Sequence, residues 1–270
     1  MDIGILGPLI ITKGRTFGQV DLAPKPRIVL AVLAGNPGGL LPVSVLMREV
    51  WGEAPPRSSL RNLHTYVLQI RKQLAQACAL PRRTVAEELL VTRPGGYAIS
   101  DTLVSYDHRV YAQLSERGRN AIHNGELLQG ISLLSRALAV WRGPAYADVV
   151  TGPVLDAQRR QMQDSRIGDI EAISEARISA GQYHEAISEL TIPVAENPLH
   201  EGLHFQYMRA LGISGSRARA LEVFNRLRLN LVSELGIEPG ASVQQLQYRI
   251  LNSADLGRTV PRRPVRPARP

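Results

Sequence analysis

The 270-residue sequence predicts a mainly α chain in two parts, a small α+β part followed by a nearly all-helical one. Three observations predict it. Residues 1–104 read in the order strands, three helices, hairpin. From Tyr106 to about Asn252, amphipathic segments follow one another, and "GELLQGISLLSRALAVW", "GQYHEAISELTIPVAEN" and "GSRARALEVFNRLRLNLVSELG" each open with Gly. Gly181 and Gly215 are 34 residues apart, as are Ala186 and Ala220, and Leu190 and Phe224. Thirty-four is the tetratricopeptide period. The first segment is out of step, because Gly125 precedes Gly181 by 56 residues. The expectation is an irregular, tetratricopeptide-like array of about six or seven helices.

The elements of the first part follow from local chemistry. "IGILGPLII" and "FGQVDLA" are apolar or alternating runs joined by the turn-like "TKGR", so residues 3–23 read as short strands. Pro24 and Pro26 lead into "RIVLAVLAG", a helix that Pro26 can start without losing a needed N–H and Gly35 can end. "NPGG" is a turn. "SVLMREVWG" is a second helix, with Ser44 as candidate N-cap and Gly52 as stop. After the loop "EAPPRSS", Ser58 or Ser59 caps a longer third helix, "LRNLHTYVLQIRKQLAQA". Residues 89–99 read as a hairpin with Pro94-Gly95-Gly96 at its tip. This order fits a winged helix-turn-helix with an extra N-terminal sheet, the arrangement of response-regulator output domains.

The third helix carries the candidate chemistry. Its apolar stripe, Leu63, Val67, Ile70 and Leu74, falls within about 60° of arc at the helical period. Arg61, Thr65, Leu68 and Lys72 point the opposite way. His64 and Arg71 flank them on one side, Asn62 and Gln69 on the other. No acidic residue occurs from Ala54 to Ala86, a window that holds Arg57, Arg61, Arg71, Lys72, Arg82 and Arg83. Such a face suits a major groove. Arg and Lys neutralise phosphates and release counterions. Asn, Gln, Arg and Thr match base-edge donors and acceptors, and Leu68 can lie against a thymine methyl. A solvated basic face would have the same composition; the helix-turn-helix before it and the hairpin after it favour DNA. In the hairpin, Arg93 lies beside the tip, where a wing meets the minor groove. Lys25, at the start of the first helix, is a candidate contact to backbone phosphate.

Charge agrees with this division. Residues 1–104 carry 12 basic and 7 acidic side chains, whereas residues 105–252 carry 15 Arg and 16 acids. The basic balance therefore belongs to the first part and to the tail after residue 252, which has five Arg and one Asp. That Pro/Arg-rich tail has little to bury and is expected to be disordered. The single cysteine, Cys78, suits a reducing cytosol. The N-terminus does not read as a signal peptide, and no apolar run approaches the ~20 residues that span a bilayer. The chain is expected in the cytoplasm, with no membrane partner.

These residues resemble the Streptomyces antibiotic regulatory proteins (SARPs). The resemblance is carried by "ILGPL" at 5–9, "KPR" at 25–27, "LMREVWGEAPPRSSLRNLHTYVLQIRKQL" at 46–74 and "TRPGGYAI" at 92–99. It continues in "LSRALAVWRGPAYADV" at 134–149, "ENPLHEGLHFQYMRAL" at 196–211 and "ELGIEPGASVQQL" at 234–246. It implies an OmpR-type DNA-binding domain over residues 1–104 and a bacterial transcriptional activation domain over 105–252. Members are cytoplasmic, nucleoid-associated activators of antibiotic and other secondary-metabolite gene clusters. They bind direct repeats upstream of promoters as two protomers side by side and recruit RNA polymerase holoenzyme through sigma factor and other subunits. The residues that match the recognition helix are Arg61, Asn62, His64, Thr65, Gln69, Arg71 and Lys72, and Arg93 matches the wing arginine. Without the nucleotide-binding and sensor modules of larger relatives, the chain reads as a small SARP.

One motif points elsewhere. "PLHEGLH" places His200, Glu201 and His204 in the spacing of a zinc protease helix. A catalytic zinc needs a third protein ligand, and the extended motif would require Gly and His where Tyr207 and Ala210 stand. Glu222 and Glu234 are the remote alternatives. There is no phosphate-binding glycine loop, nucleophile elbow or cysteine cluster, so no cofactor, metal or enzymatic activity is expected. The remaining alternative is a helical-repeat scaffold whose basic domain binds RNA or protein. Few aromatic residues and no RNP-like segment argue against an RNA-binding sheet.

Overall fold

The computed structural model describes residues 1–13, 16–19 and 21–252. The Arg/Pro-rich tail, and with it the expectation of disorder, lies outside the described residues. The chain divides into two compact units, Met1–Asn124 with Ser132–Asp169, and Gly125–Ile131 with the chain from Ile170 onward.

In the first unit, β1 (Asp2–Gly4), β2 (Ile10–Lys13) and β3 (Thr16–Gln19) form an antiparallel meander. The sheet gains a fourth strand, β7 (Ser105–Tyr106), parallel to β1, giving the order β3-β2-β1-β7. Helices α1 (Pro24–Ala34), α2 (Val43–Trp51) and α3 (Ser59–Cys78) follow the meander. A second sheet has the order β4-β6-β5, from Leu41–Pro42, Gly96–Ile99 and Leu90–Arg93. A short helix, α4 (Arg82–Thr84), runs into a π-helical turn, Val85–Leu89, just before β5. The winged helix-turn-helix is thus present. Helix α1 is its centre: Ile28 to Ala34 are all buried, which is why "RIVLAVLA" has no polar face. Leu63, Val67, Ile70 and Leu74 of α3 pack into the same core.

Helix α2 departs from its sequence pattern. Pro42, not Ser44, occupies the N-cap position, and no side chain caps the helix. The Val43 N–H instead donates to the Gly95 carbonyl at the hairpin tip, 3.0 Å away. A backbone acceptor brought from a distant hairpin does the work expected of a serine.

The first unit does not stop at the hairpin. It includes α5 (Asp107–His123), most of α6 (Leu127–Leu138) and the first part of α7 (Pro153–Ser179). Ala137, Trp141, Ala145, Tyr146 and Leu155 belong to the same core as α1 and α3. Three carboxylates join the early and late segments. Asp107 accepts from the N–H groups of Ile5 and Leu6, each at 2.9 Å, and pairs with Arg142 at 3.0 Å. Asp148 accepts from the Leu9 N–H and pairs with Arg27, each at 2.6 Å. Glu49 of α2 accepts from three backbone N–H groups at the start of α7. A fourth, Asp169, is fully buried between the hydroxyls of Tyr111 and Ser115, at 2.7 and 2.9 Å.

The second unit contains α8 (Tyr183–Glu196), α9 (Glu201–Ile213), α10 (Arg217–Leu235) and α11 (Ala241–Leu251). Its 34-residue register is real. Ala186 and Ala220 are fully buried, and Leu190 and Phe224 are buried at the matching positions. Gly181 and Gly215 take φ of +78° and +86° at the turns before α8 and α10, a conformation in which a Cβ is strained. Helix α9 is the centre, with Leu203, Met208, Ala210 and Leu211 fully buried. Arg217 closes the far end by donating to the carbonyls of Ile250 and Leu251 at 3.0 and 2.7 Å. Among the described residues, no helix is long and apolar enough to cross a membrane.

Candidate nucleic-acid interface

Helix α3 has 20 residues and is about 30 Å long at 1.5 Å per residue. Its buried stripe fixes which residues face outward. Arg61, His64, Thr65, Gln69 and Lys72 are exposed, Asn62 is half-buried, and Leu68 is 63% exposed. This aliphatic side chain at the middle of a polar face is left mostly in solvent in the free protein. Ser58 stands at the N-cap position, yet its hydroxyl accepts from Asn62 Nδ2 at 3.3 Å and caps no backbone group. The Thr65 hydroxyl donates to the Arg61 carbonyl one turn back, at 3.2 Å.

The three helices meet at an aromatic stack. Trp51 at the end of α2 stacks on Tyr66 of α3, with centroids 5.9 Å apart and planes 21° apart. Lys25 Nζ of α1 lies 5.4 Å from the Trp51 ring centroid. The lysine, expected at a phosphate, therefore rests on an aromatic face, which orients its ammonium without consuming its charge. Neither Trp51 nor Tyr66 figured among the sequence candidates. Their spacing signals only core, and the stack forms across two helices.

The hairpin is a two-residue turn at Pro94 and Gly95, with Arg93 opposite Gly96. Gly95 has φ of +82°, as the third position of a turn with proline second requires. Arg93 is exposed beside it. Arg71 is placed differently from the other candidates. It is half-buried, and its guanidinium donates to the Leu90 carbonyl and the Thr92 hydroxyl of β5. Burial lowers its pKa from the ordinary arginine value, and the neighbouring Tyr97 opposes the shift.

The H-E-x-x-H segment is occupied in packing the second unit. His200 is the N-cap of α9, its Nδ1 accepting from the Leu203 N–H at 3.3 Å. Glu201 accepts from the Gly240 N–H at 2.5 Å and so holds the start of α11. His204 is 2% exposed, with Nδ1 3.0 Å from the His200 carbonyl, and burial pushes its pKa down. Glu222 and Glu234 are exposed. Among the described residues, no three His, Cys, Asp or Glu side chains are grouped to hold a metal ion.

Comparison with known proteins is consistent with this arrangement. Residues 106–251 match the bacterial transcriptional activator domain, and residues 18–99 match the C-terminal domain of transcriptional regulatory proteins. The regulatory protein DnrI of Streptomyces peucetius is 38% identical over 253 residues, which are 94% of this chain and 93% of that protein. The regulatory protein AfsR of Streptomyces griseus is 32% identical over 92% of this chain but only 24% of its own length. The structure of Mycobacterium tuberculosis EmbR in complex with a low affinity phosphopeptide has a TM-score of 0.82 at 31% identity, covering 95% of this chain and 66% of that one. The activator-domain match alone spans more than half of the sequence, and it follows an OmpR-like winged helix. The chain belongs to the SARP family of transcriptional activators.

Proposed function

We propose that the protein binds double-stranded promoter DNA, with α3 in the major groove and the β5–β6 hairpin at the adjacent minor groove. One observation carries this: Arg61, Thr65, Leu68, Gln69 and Lys72 are exposed together on the face of α3 opposite its core, in a stretch free of carboxylates from Ala54 to Ala86. In this reading residues 1–104 hold the DNA-reading surface and residues 105–252 form the activation domain, which recruits RNA polymerase holoenzyme through sigma factor and other subunits. The targets are direct repeats upstream of a secondary-metabolite gene cluster. A two-fold dimer reads a palindrome, so a direct repeat requires two protomers facing the same way. The protein is then largely monomeric when free and pairs on DNA. A tight dimer without DNA in analytical ultracentrifugation would sink that part of the reading. A footprint on the upstream regions of the neighbouring gene cluster tests the whole; absence of any protected site overturns it.

Two substitutions separate affinity from specificity. Lys72→Ala should weaken binding to all sequences and reduce the slope of log K against log salt by about 0.9, one phosphate contact. An unchanged slope removes Lys72 from the backbone contacts. Asn62→Ala and Gln69→Ala should change which bases are preferred, each by about 1–3 kcal/mol of discrimination at one position. A binding-site selection returning the wild-type consensus for both would remove them from base readout.

A further inference from the structure

Arg71 leaves α3 on the side that faces β5, away from the centre of the exposed face. Its Nε and one terminal nitrogen donate to the Leu90 carbonyl at 2.9 and 2.7 Å, and the same terminal nitrogen donates to Thr92 Oγ1 at 2.9 Å. The partners are the first and third residues of β5, and Arg93 is the fourth. Among the described residues, strand β5 is an edge strand, paired with β6 alone in its sheet. An outward-facing edge carbonyl is an acceptor without a strand donor, and Arg71 supplies the donor from the neighbouring helix. The opposite side of the hairpin is tied separately, by the Val43 N–H to the Gly95 carbonyl at 3.0 Å.

We propose that Arg71 is a positioning residue that sets the bearing of the wing relative to the reading helix, and that it is not a phosphate ligand. The inference rests on the DNA-binding reading above. Its physical basis is leverage. From Leu90 to Arg93 the strand advances about 10 Å at 3.3 Å per residue. A rotation of about 10° at Leu90 therefore displaces Arg93 by roughly 2 Å, enough to move a hydrogen bond out of range. A planar fork that grips a carbonyl with two N–H groups resists such rotation, whereas an ammonium on a flexible stem does not.

The test uses the full chain and a duplex selected by the protein itself from a random library. Hydroxyl-radical cleavage reads the minor groove, and guanine N7 methylation reads the major groove. Arg71→Ala and Arg71→Lys should both lose the hydroxyl-radical protection at the wing and keep the N7 protection under α3. Their Kd should rise roughly tenfold, the loss of one charged contact, as in Arg93→Ala. The double variant Arg71→Ala/Arg93→Ala should bind no more weakly than Arg93→Ala alone, because both act through one side chain. Thr92→Val, which removes only one of the three bonds, should shift Kd in the same direction by a smaller factor, and it covers the case in which Arg71→Ala fails to fold. Wild-type affinity and salt slope in Arg71→Lys would overturn the proposal, since lysine keeps a phosphate contact but not the fork. Additive losses in the double variant would overturn it too. Failure of the unaltered protein to select any duplex would instead remove the DNA-binding reading.

Discussion

Replacing Glu49 with Ala is expected to lower the folding stability of the chain by about 3–5 kcal/mol, the cost of leaving three backbone donors without their acceptor. Glu49 is 5% exposed. Its Oε1 accepts from the N–H groups of Gly152 and Leu155 at 2.8 and 3.1 Å, and its Oε2 accepts from Val154 at 2.8 Å. These groups lie at the start of α7, where backbone N–H groups have no acceptor within the helix and the macrodipole is positive. Alanine leaves three donors facing a space that held a carboxylate. Each unmet buried donor costs about 1–3 kcal/mol, less wherever water enters. Glu49→Gln is the sharper probe. Its carbonyl can still serve Gly152 and Leu155, but its amide NH2 meets the Val154 N–H, donor against donor. About half the alanine loss is expected. Urea unfolding of the full chain measures both. A fall in midpoint with an unchanged m-value is the expected form. A loss below about 1 kcal/mol for alanine would mean that water replaces the carboxylate. The consequence for function is mechanical. Helix α2 belongs to the winged helix and α7 to the activator domain, and Glu49 joins them within one compact unit.

What the sequence made legible was whatever repeats within a few residues. The stripe of α3 was readable because four apolar residues recur at the helical period, and all four are buried. The helical array was readable because Gly181 and Gly215 must take positive φ and Ala186 and Ala220 must be small. Strands β4 and β7 were not readable, since two residues carry no alternation. They exist because a partner strand is already in place. Glu49 and Asp107 look like surface acids for a related reason. Their acceptor roles face backbone N–H groups about a hundred residues away, which leave no mark in composition. Arg71 sits beside Lys72, and only the structure separates them, because its partner is a carbonyl that any residue at position 90 would supply. The H-E-x-x-H spacing is a motif that short-range periodicity can produce by itself. A helical period of four brings His200 and His204 together whether or not a metal is needed.

Gly96→Ala should dislodge the wing, whereas Gly95→Ala should only strain it. The two neighbours separate space from conformation. Gly96 is buried in β6, opposite Arg93 on one side and Pro42 on the other. A Cβ there would overlap the Leu41 carbonyl oxygen and press on the Pro42 backbone. Neither obstacle can rotate away, so β4 must separate from β6. That separation also strains the bond from Val43 N–H to the Gly95 carbonyl, which starts α2. Overpacking costs about 1–3 kcal/mol, and the lost pairing adds to it, so a total of about 2–4 kcal/mol is expected. At Gly95 a Cβ would meet nothing within 4 Å, and the φ of +82° alone opposes a side chain. That penalty is about 1–2 kcal/mol. Footprinting should show the difference more clearly than stability. Gly96→Ala should lose the minor-groove protection expected of Arg93, and Gly95→Ala should retain it. Equal stability losses with both footprints intact would mean that the hairpin slides on β4, and that the wing is not held by this edge.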